Sequence, residues 1–444
     1  MRHPLLALAF AASLHASGPV EITDPKDQAI LQAFLGHTKN ETVSLTKEHF
    51  LANKVPENLC WVDFPKMEMN LAAYQLTGDT QYLRAFSGAM ENLRSTVVKG
   101  PDGFLGWYGE PHEINRDPAN PGAVVSEIQT DFRAAAVISR FAEIVNSDPA
   151  LKAEFGAQSD ACIDLAKNHL VKKWDGSFVD LGDRGAVYRW NKAYKPLVAG
   201  MSLPQEKVAF MIDGLLGMYR VTGDMQYAEK AAKLGLWFKR CLEFDGTRYA
   251  WNRWNPAGKW DVSQDNPTKW RSWIAKEPKA IWHAASVGSA VSLYEHGLVF
   301  DRADMDRFVK TQVGVSWNGD FERPLFFTVD GIPAEDGERF IAHSLTPFDP
   351  KFARFVYEGA MRDERVDKSR SPWQGGVLAS EWLLGKYVRL KEGDKPRYAK
   401  LGEAFLAQAD PALKKQLSFA PVPPGYLTPP VPTEAALSAM TVRP

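Results

Sequence analysis

Two stretches of the chain carry nearly the same pattern of apolar and polar positions. Residues 71–82 read LAAYQLTGDTQY and residues 216–227 read LGMYRVTGDMQY. Leu71 and Leu216, Tyr74 and Tyr219, Thr77 and Thr222, Gln81 and Gln226, and Tyr82 and Tyr227 correspond. In each stretch an apolar helix runs into Thr-Gly-Asp and a second helix follows. Gly78 and Gly223 can take the left-handed conformation that ends a helix, and Asp79 and Asp224 can cap the next one. The repeat predicts helical hairpins with tight turns.

The same plan predicts helix pairs over about 124–146 and 149–173, about 280–297 and 302–315, and about 372–391 and 395–408. Alternating, strand-like patterning is scarce. The main strand candidate is 316–342, where Leu325–Val329 leads into Asp330-Gly331. Turns inside the hairpins are short, whereas the links between them are long: about 98–123, 174–203, 242–279 and 316–350. Five or so sequential hairpins predict an all-α fold, an α/α toroid with long inter-hairpin loops and a minor β insertion; a solenoid of helix pairs is the alternative. In a toroid the links emerge on one face, beside the N-termini of the inner helices, where a rigid scaffold presents a site.

The ends of the chain read differently. Arg2 and His3 lead into an apolar run, Leu5 to Ala12, and small residues follow at Ala16, Ser17 and Gly18. This is the pattern of a secretory signal peptide over 1–18, and it implies a periplasmic or secreted protein. No later segment reaches the ~18 consecutive apolar residues of a membrane span. Residues 19–420 then form the toroid, and the proline-rich tail 421–444 carries no chemistry.

The formal net charge of −1 leaves no broad basic footprint for nucleic acid. Cys60, Cys162 and Cys241 lie far apart with no CxxC spacing, so no zinc or redox site is expected; one disulfide or three buried thiols both fit. HExxH, P-loop and GxSxG patterns are missing, and neither a metal nor a cofactor is expected.

Many of the 14 tryptophans and many arginines gather in the links, as suits the flat faces and hydroxyls of sugars. The substrate-binding candidates are Trp107, His112, Glu127, Arg184, Trp251, Asn252, Arg271, His343 and Trp373. Two reactions fit this content. In β-elimination on a uronic acid chain, a base takes the C5 proton while the adjacent carboxylate is neutralised; Tyr188, Tyr249, Arg189, Glu206 and His283 are the catalytic candidates. In glycoside hydrolysis two carboxylates flank the bond, and Glu127, Asp131 and Glu206 are the candidates.

A family resemblance favours the first. The run Ser202-Leu203-Pro204-Gln205-Glu206 leading to Leu215–Asp224, the segment Tyr249-Ala250-Trp251-Asn252, and Trp282-His283-Ala284 through Tyr294–Phe300 resemble exported toroid polysaccharide lyases of the glucuronan and alginate lyase type. Uronyl C5-epimerases are related to these. The resemblance covers about 200–310 well and the rest loosely. It implies a Tyr as base and acid beside an Arg and a Glu or His, with an acidic polysaccharide as substrate. The expectation is therefore a uronate polysaccharide lyase. The alternatives are a glycoside hydrolase on the same toroid and a glycan-binding protein without activity.

Overall fold

The computed structural model describes residues 19–191, 193–195, 197–334, 339–361, 372–390, 395–417, 431–434 and 437. The expected signal peptide and most of the proline-rich tail lie outside these residues.

The repeated hairpins form at the expected places. Helices α3 (Phe64–Thr77) and α4 (Thr80–Arg94) make one, and α7 (Gln205–Thr222) and α8 (Met225–Arg240) make the other. Gly78 and Gly223 both sit at φ 69°, and their N–H groups donate to the Tyr74 and Tyr219 carbonyls at 2.7 and 2.8 Å. The Asp79 and Asp224 carboxylates accept from the Gln81 and Gln226 N–H groups at 2.9 and 3.0 Å. Helices α5 (Ile128–Asn146) and α6 (Pro149–Leu165), and α9 (Ala280–Glu295) and α10 (Arg302–Gly314), form two further pairs. A capping box at Asp301 and Asp304 starts α10. Helix α12 (Pro372–Leu384) and helix α13 (Ala399–Gln408) occupy the late pair.

Helices α1 (Pro25–Val43), α2 (Lys47–Ala52), α11 (Pro350–Val356) and α14 (Pro411–Leu417) were not foreseen. Helices α3, α5, α7, α9 and α12 pack side by side as an inner ring. The turn His343–Phe348, which leads into α11, sits between α9 and α12. The ring closes because α12 packs on both α1 and α3. The fold is an α/α toroid. Its tightest seam is α5 against α7. A Cβ on Gly214 would collide with the Phe132 carbonyl, and one on Gly217 with the Ser139 side chain.

The links also repeat. The first three each open with a short antiparallel hairpin: β1 (Val98–Lys99) with β2 (Leu105–Gly106), β3 (Phe178–Asp180) with β4 (Ala186–Tyr188), and β5 (Leu242–Phe244) with β6 (Tyr249–Trp251). The strand expected in 316–342 amounts to isolated bridges at Trp317–Phe326 and Phe327–Pro333. The second and third links lock together through Asp261. Its carboxylate accepts from the Ser202 N–H and hydroxyl, each at 2.8 Å, and from the Ala257 N–H at 2.8 Å.

The three cysteines are free thiols. No helix among the described residues is long and apolar enough to cross a membrane.

One carboxylate latches the ring. Asp27, fully buried on α1, accepts from the Trp382 indole at 2.9 Å, from the Tyr387 hydroxyl at 2.7 Å and from Lys386. Replacing it strands buried donors, which costs about 1–3 kcal/mol each and less than additively. We expect Asp27→Ala to lower the unfolding free energy by about 3 kcal/mol, read as a fall in the urea midpoint at constant slope. A change below about 1 kcal/mol would show that the ring closes without the latch.

Candidate active site

The inner helices are apolar toward the outer ring but carry polar residues at seven-residue intervals on the opposite side. On α3 these are Glu68 and Gln75, on α5 Arg133 and Arg140, and on α7 Asp213 and Arg220. Such spacing keeps side chains on one helical face. They pair laterally from helix to helix: Arg133 with Glu68, Arg140 with Gln75, Arg220 with Glu143, and Asp213 with Ser292 of α9. The toroid therefore encloses a polar shaft.

Glu381 of α12 lies deep in the protein, yet 49% of its side-chain surface is open. Its Oε2 is 3.3 Å from His343 Nδ1. Poor solvation at this depth pushes the Glu381 carboxyl up to about 7, Glu68 adding to the rise and Arg133 and Arg140 opposing it. Burial takes His343 down to about 4, so near neutral pH this His–Glu pair shares one proton and no net positive charge. Burial also raises Asp213, but Ser292, Arg133 and Arg220 all pull it back toward the carboxylate. Glu381 and Asp213 thus both lie within electrostatic reach of Arg133 and Glu68.

Above them lies the mouth, at the N-termini of the inner helices. Arg253 donates through Nε and Nη2 to Glu206 Oε1 at 3.1 and 2.9 Å. Its guanidinium lies 4.0 Å from the ring centroid of the half-buried Trp282. Glu206 itself is sealed, and burial raises it. Glu277 is sealed nearby and raised well above the usual range by burial and by Glu206. Lys207 bridges Glu57, at 2.9 Å, and Gln129. Behind it Glu127, wholly buried, is pushed up to about 8 by burial and by Glu57.

Of the residues expected from sequence, the structure brings His343 into the shaft and Glu206 to the mouth. The others stand elsewhere. Tyr188 is fully buried against Phe132 and Phe178. Tyr249 is fully buried, and its hydroxyl donates to Asp304 Oδ1 at 2.6 Å. Both phenols are driven upward, Tyr188 by burial and Tyr249 by burial and Asp304. His283 stacks on Trp251 with centroids 5.1 Å apart. Its Nε2 is 2.6 Å from Gln312 Nε2, while Gln312 Oε1 accepts from Ala342 N–H. The amide must then donate to His283, which is a neutral structural residue carrying its proton on Nδ1. Asp131 is buried in a pair with Lys173 at 3.2 Å.

Arg189 donates to the Gly200 carbonyl, Arg184 to that of Ala257, and Arg271 to those of Leu197, Trp260 and Ala199. These arginines staple the links together. Trp107 and Trp251 are core residues. Asn252 bonds Asn255, and His112 caps a short turn. The Trp373 side chain lies outside the described residues. Arg133, Glu68, Asp213 and Glu381 were missed, although the seven-residue spacing of charges on apolar helices was there to be read.

No protein-family model matches the chain, and no curated protein does. A solved structure similar to it is an inactive variant of the alpha-1,6-mannanase GH76A of Salegentibacter sp. HEL1_6, in complex with alpha-1,6-mannotriose. The TM-score is 0.44 and the identity 12%, over 74% of this chain and 90% of that one. That protein is a glycoside hydrolase, not a lyase. The expected membership of the glucuronan and alginate lyases is corrected accordingly, and so are lyase activity and a uronic acid substrate. The geometry agrees, because neither candidate tyrosine can reach a substrate.

The raised carboxyls have a thermodynamic signature. Glu127 and Glu381 hold protons more tightly folded than unfolded, where a Glu titrates at about 4.3. Their stabilising contribution is full below that value and is lost as pH rises through about 7 and about 8. The unfolding free energy should therefore fall from about pH 7.5 to 8.5, where the histidines of the unfolded chain have already lost most of their protons. Glu127→Gln should flatten the fall. Stability that is flat or rising across that window would contradict this account of the two groups.

Proposed function

We propose that the protein is a glycoside hydrolase whose acid and base line the toroid shaft. The observation that carries this reading is an accessible, high-pKa Glu381 and a second carboxyl, Asp213, gathered around the same Arg133 and Glu68. Glu381, protonated near neutral pH, gives its proton to the leaving glycosidic oxygen. Asp213, raised by burial but opposed by Ser292, Arg133 and Arg220, takes a proton from water as the base. That water's oxygen forms the new bond at the anomeric carbon as the C–O bond to the leaving sugar breaks. His343 positions the Glu381 carboxyl. At the mouth, Trp282 offers a flat face to a sugar ring, and Arg253 is fixed beside it by Glu206. This keeps the glycan expected from sequence and replaces the chemistry. The N-terminal pattern of residues 1–18 supports an activity outside the cytoplasm.

The test is reducing-end release from a panel of polysaccharides, α-1,6-mannan included, without formation of unsaturated product. We expect Glu381→Gln and Asp213→Asn each to cut kcat by about 10²–10⁴ while the fold is retained by circular dichroism. The alkaline limb of the wild-type rate should fall near pH 7, where Glu381 loses its proton. Tyr188→Phe and Tyr249→Phe should leave the rate near wild type. Full activity in Glu381→Gln would sink the assignment.

A further inference from the structure

One tryptophan stands apart from the rest. Trp273 of the third link is 59% exposed, whereas every other tryptophan side chain among the described residues is buried or half-buried. Within those residues no ring, cation or hydrogen-bond partner touches it. An indole carries a large flat apolar area, so leaving one in water is unfavourable.

The backbone holds it there. On one side Trp270 is buried, and the Arg271 N–H donates to the Asp261 carbonyl at 2.8 Å. The Arg271 guanidinium donates to the carbonyls of Leu197, Trp260 and Ala199 at 3.1, 3.1 and 2.9 Å. On the other side Ile274 packs on the core, and the Ala275 carbonyl accepts from the Arg253 N–H at 2.9 Å. Lys276 then bridges to Asn252. With both flanks pinned, Trp273 cannot turn inward, and its ring is presented on a rigid support.

Area limits what covers that ring. A tryptophan exposed to this degree offers roughly 100–150 Å², whereas a stable protein partner needs about 800 Å² on each side. Leu197, 58% exposed and tied to this segment through Arg271, adds an apolar edge without closing the gap. A single pyranose ring fits: its C–H face lies flat on the indole while its hydroxyls stay in water at the edge. The segment also runs into the pair already described at the mouth. Ala275 fixes the backbone of Arg253, whose guanidinium lies 4.0 Å from the Trp282 centroid. Trp273 is about 7 Å of extended chain from that junction, so one glycan chain can touch both.

We propose that Trp273 is an outer stacking site, holding one pyranose unit of the substrate glycan beyond Trp282 and Arg253. The inference rests on the hydrolase reading given above for the nature of its ligand. Trp273 grips a sugar away from the bond that breaks, so it sets the affinity for the chain rather than the rate of the chemical step.

The experiment compares the wild type with Trp273→Ala, Trp273→Phe and Trp273→Leu on α-1,6-mannan, β-1,4-xylan, β-1,4-glucan and amylose. Retardation in native gels cast with each polymer reads binding, and reducing-end release reads activity. For the polymer that retards the wild type, Trp273→Ala should weaken binding and raise KM about fivefold or more, with the loss in KM rather than kcat. Trp273→Phe keeps a flat ring and should restore most of the affinity; Trp273→Leu keeps apolar area without the flat face and should not. Retardation that depends on Trp273 with no polymer cut supports the stacking site while the hydrolase reading fails. Equal retardation of wild type and Trp273→Ala overturns the proposal, as does Trp273→Leu binding as well as Trp273→Phe. No retardation of the wild type by any of the four polymers also overturns it. A wild type that sediments as a dimer beside a monomeric Trp273→Ala overturns it in favour of a second copy of the chain.

Discussion

Everything in this toroid depends on closing the ring between its two ends in sequence. Asp27 on α1 reaches Trp382, Lys386 and Tyr387 more than 350 residues later, and its partners hold α12 against α1 and α3. Closure turns the polar sides of five helices inward. A charged side chain facing an apolar interior must be paired or hydrated. Arg133, Glu68, Arg220 and Glu143 are paired, while Glu381 stays largely open. An open ring would leave these groups in bulk water at ordinary acidity. The closed ring places them where solvent is scarce and each shifts its neighbour.

That environment explains how one shaft holds carboxyl groups of different character. Glu381 is raised by its depth in the protein and by the Glu68 carboxylate, with a neutral His343 beside it, so its proton is retained to near neutrality. Asp213 has two guanidinium groups and a hydroxyl facing it. The chemistry follows from surroundings rather than from residue type, as an acid and a base built from carboxyls require. The sealed carboxyls nearer the mouth serve position instead: Glu206 aims Arg253, and Asp261 fastens the second link to the third.

Much of the fold was legible in the sequence. The Thr-Gly-Asp repeats located two hairpin turns to the residue because only glycine accepts φ 69° there without strain and aspartate caps the next helix. Helix α1 was missed despite Asp24 as its cap and Pro25 at its first position, since its apolar residues are diluted among polar ones. The hairpins β1–β6 escaped because strands of two or three residues show no period. The site was less legible. Tryptophans and arginines in the links were read as a sugar surface, but Trp107, Trp251 and Trp254 are buried core residues, and Arg184, Arg189 and Arg271 staple carbonyls. Composition cannot separate a ring packed inward from one offered to a ligand. The charges at 68, 133 and 213 sit on helices whose apolar face had already been accounted for, and only closure makes them converge.

The central claim is that the shaft holds Glu381 protonated near neutral pH. Infrared spectroscopy of the carboxyl stretch, with Glu381→Gln subtracted to isolate one group, measures this without any substrate. The account predicts a protonated-carboxyl band that disappears with a midpoint of about 7. A midpoint near the ~4.3 of a free glutamate would mean the shaft is open to bulk solvent at that level, and the assignment of Glu381 as the acid would fall.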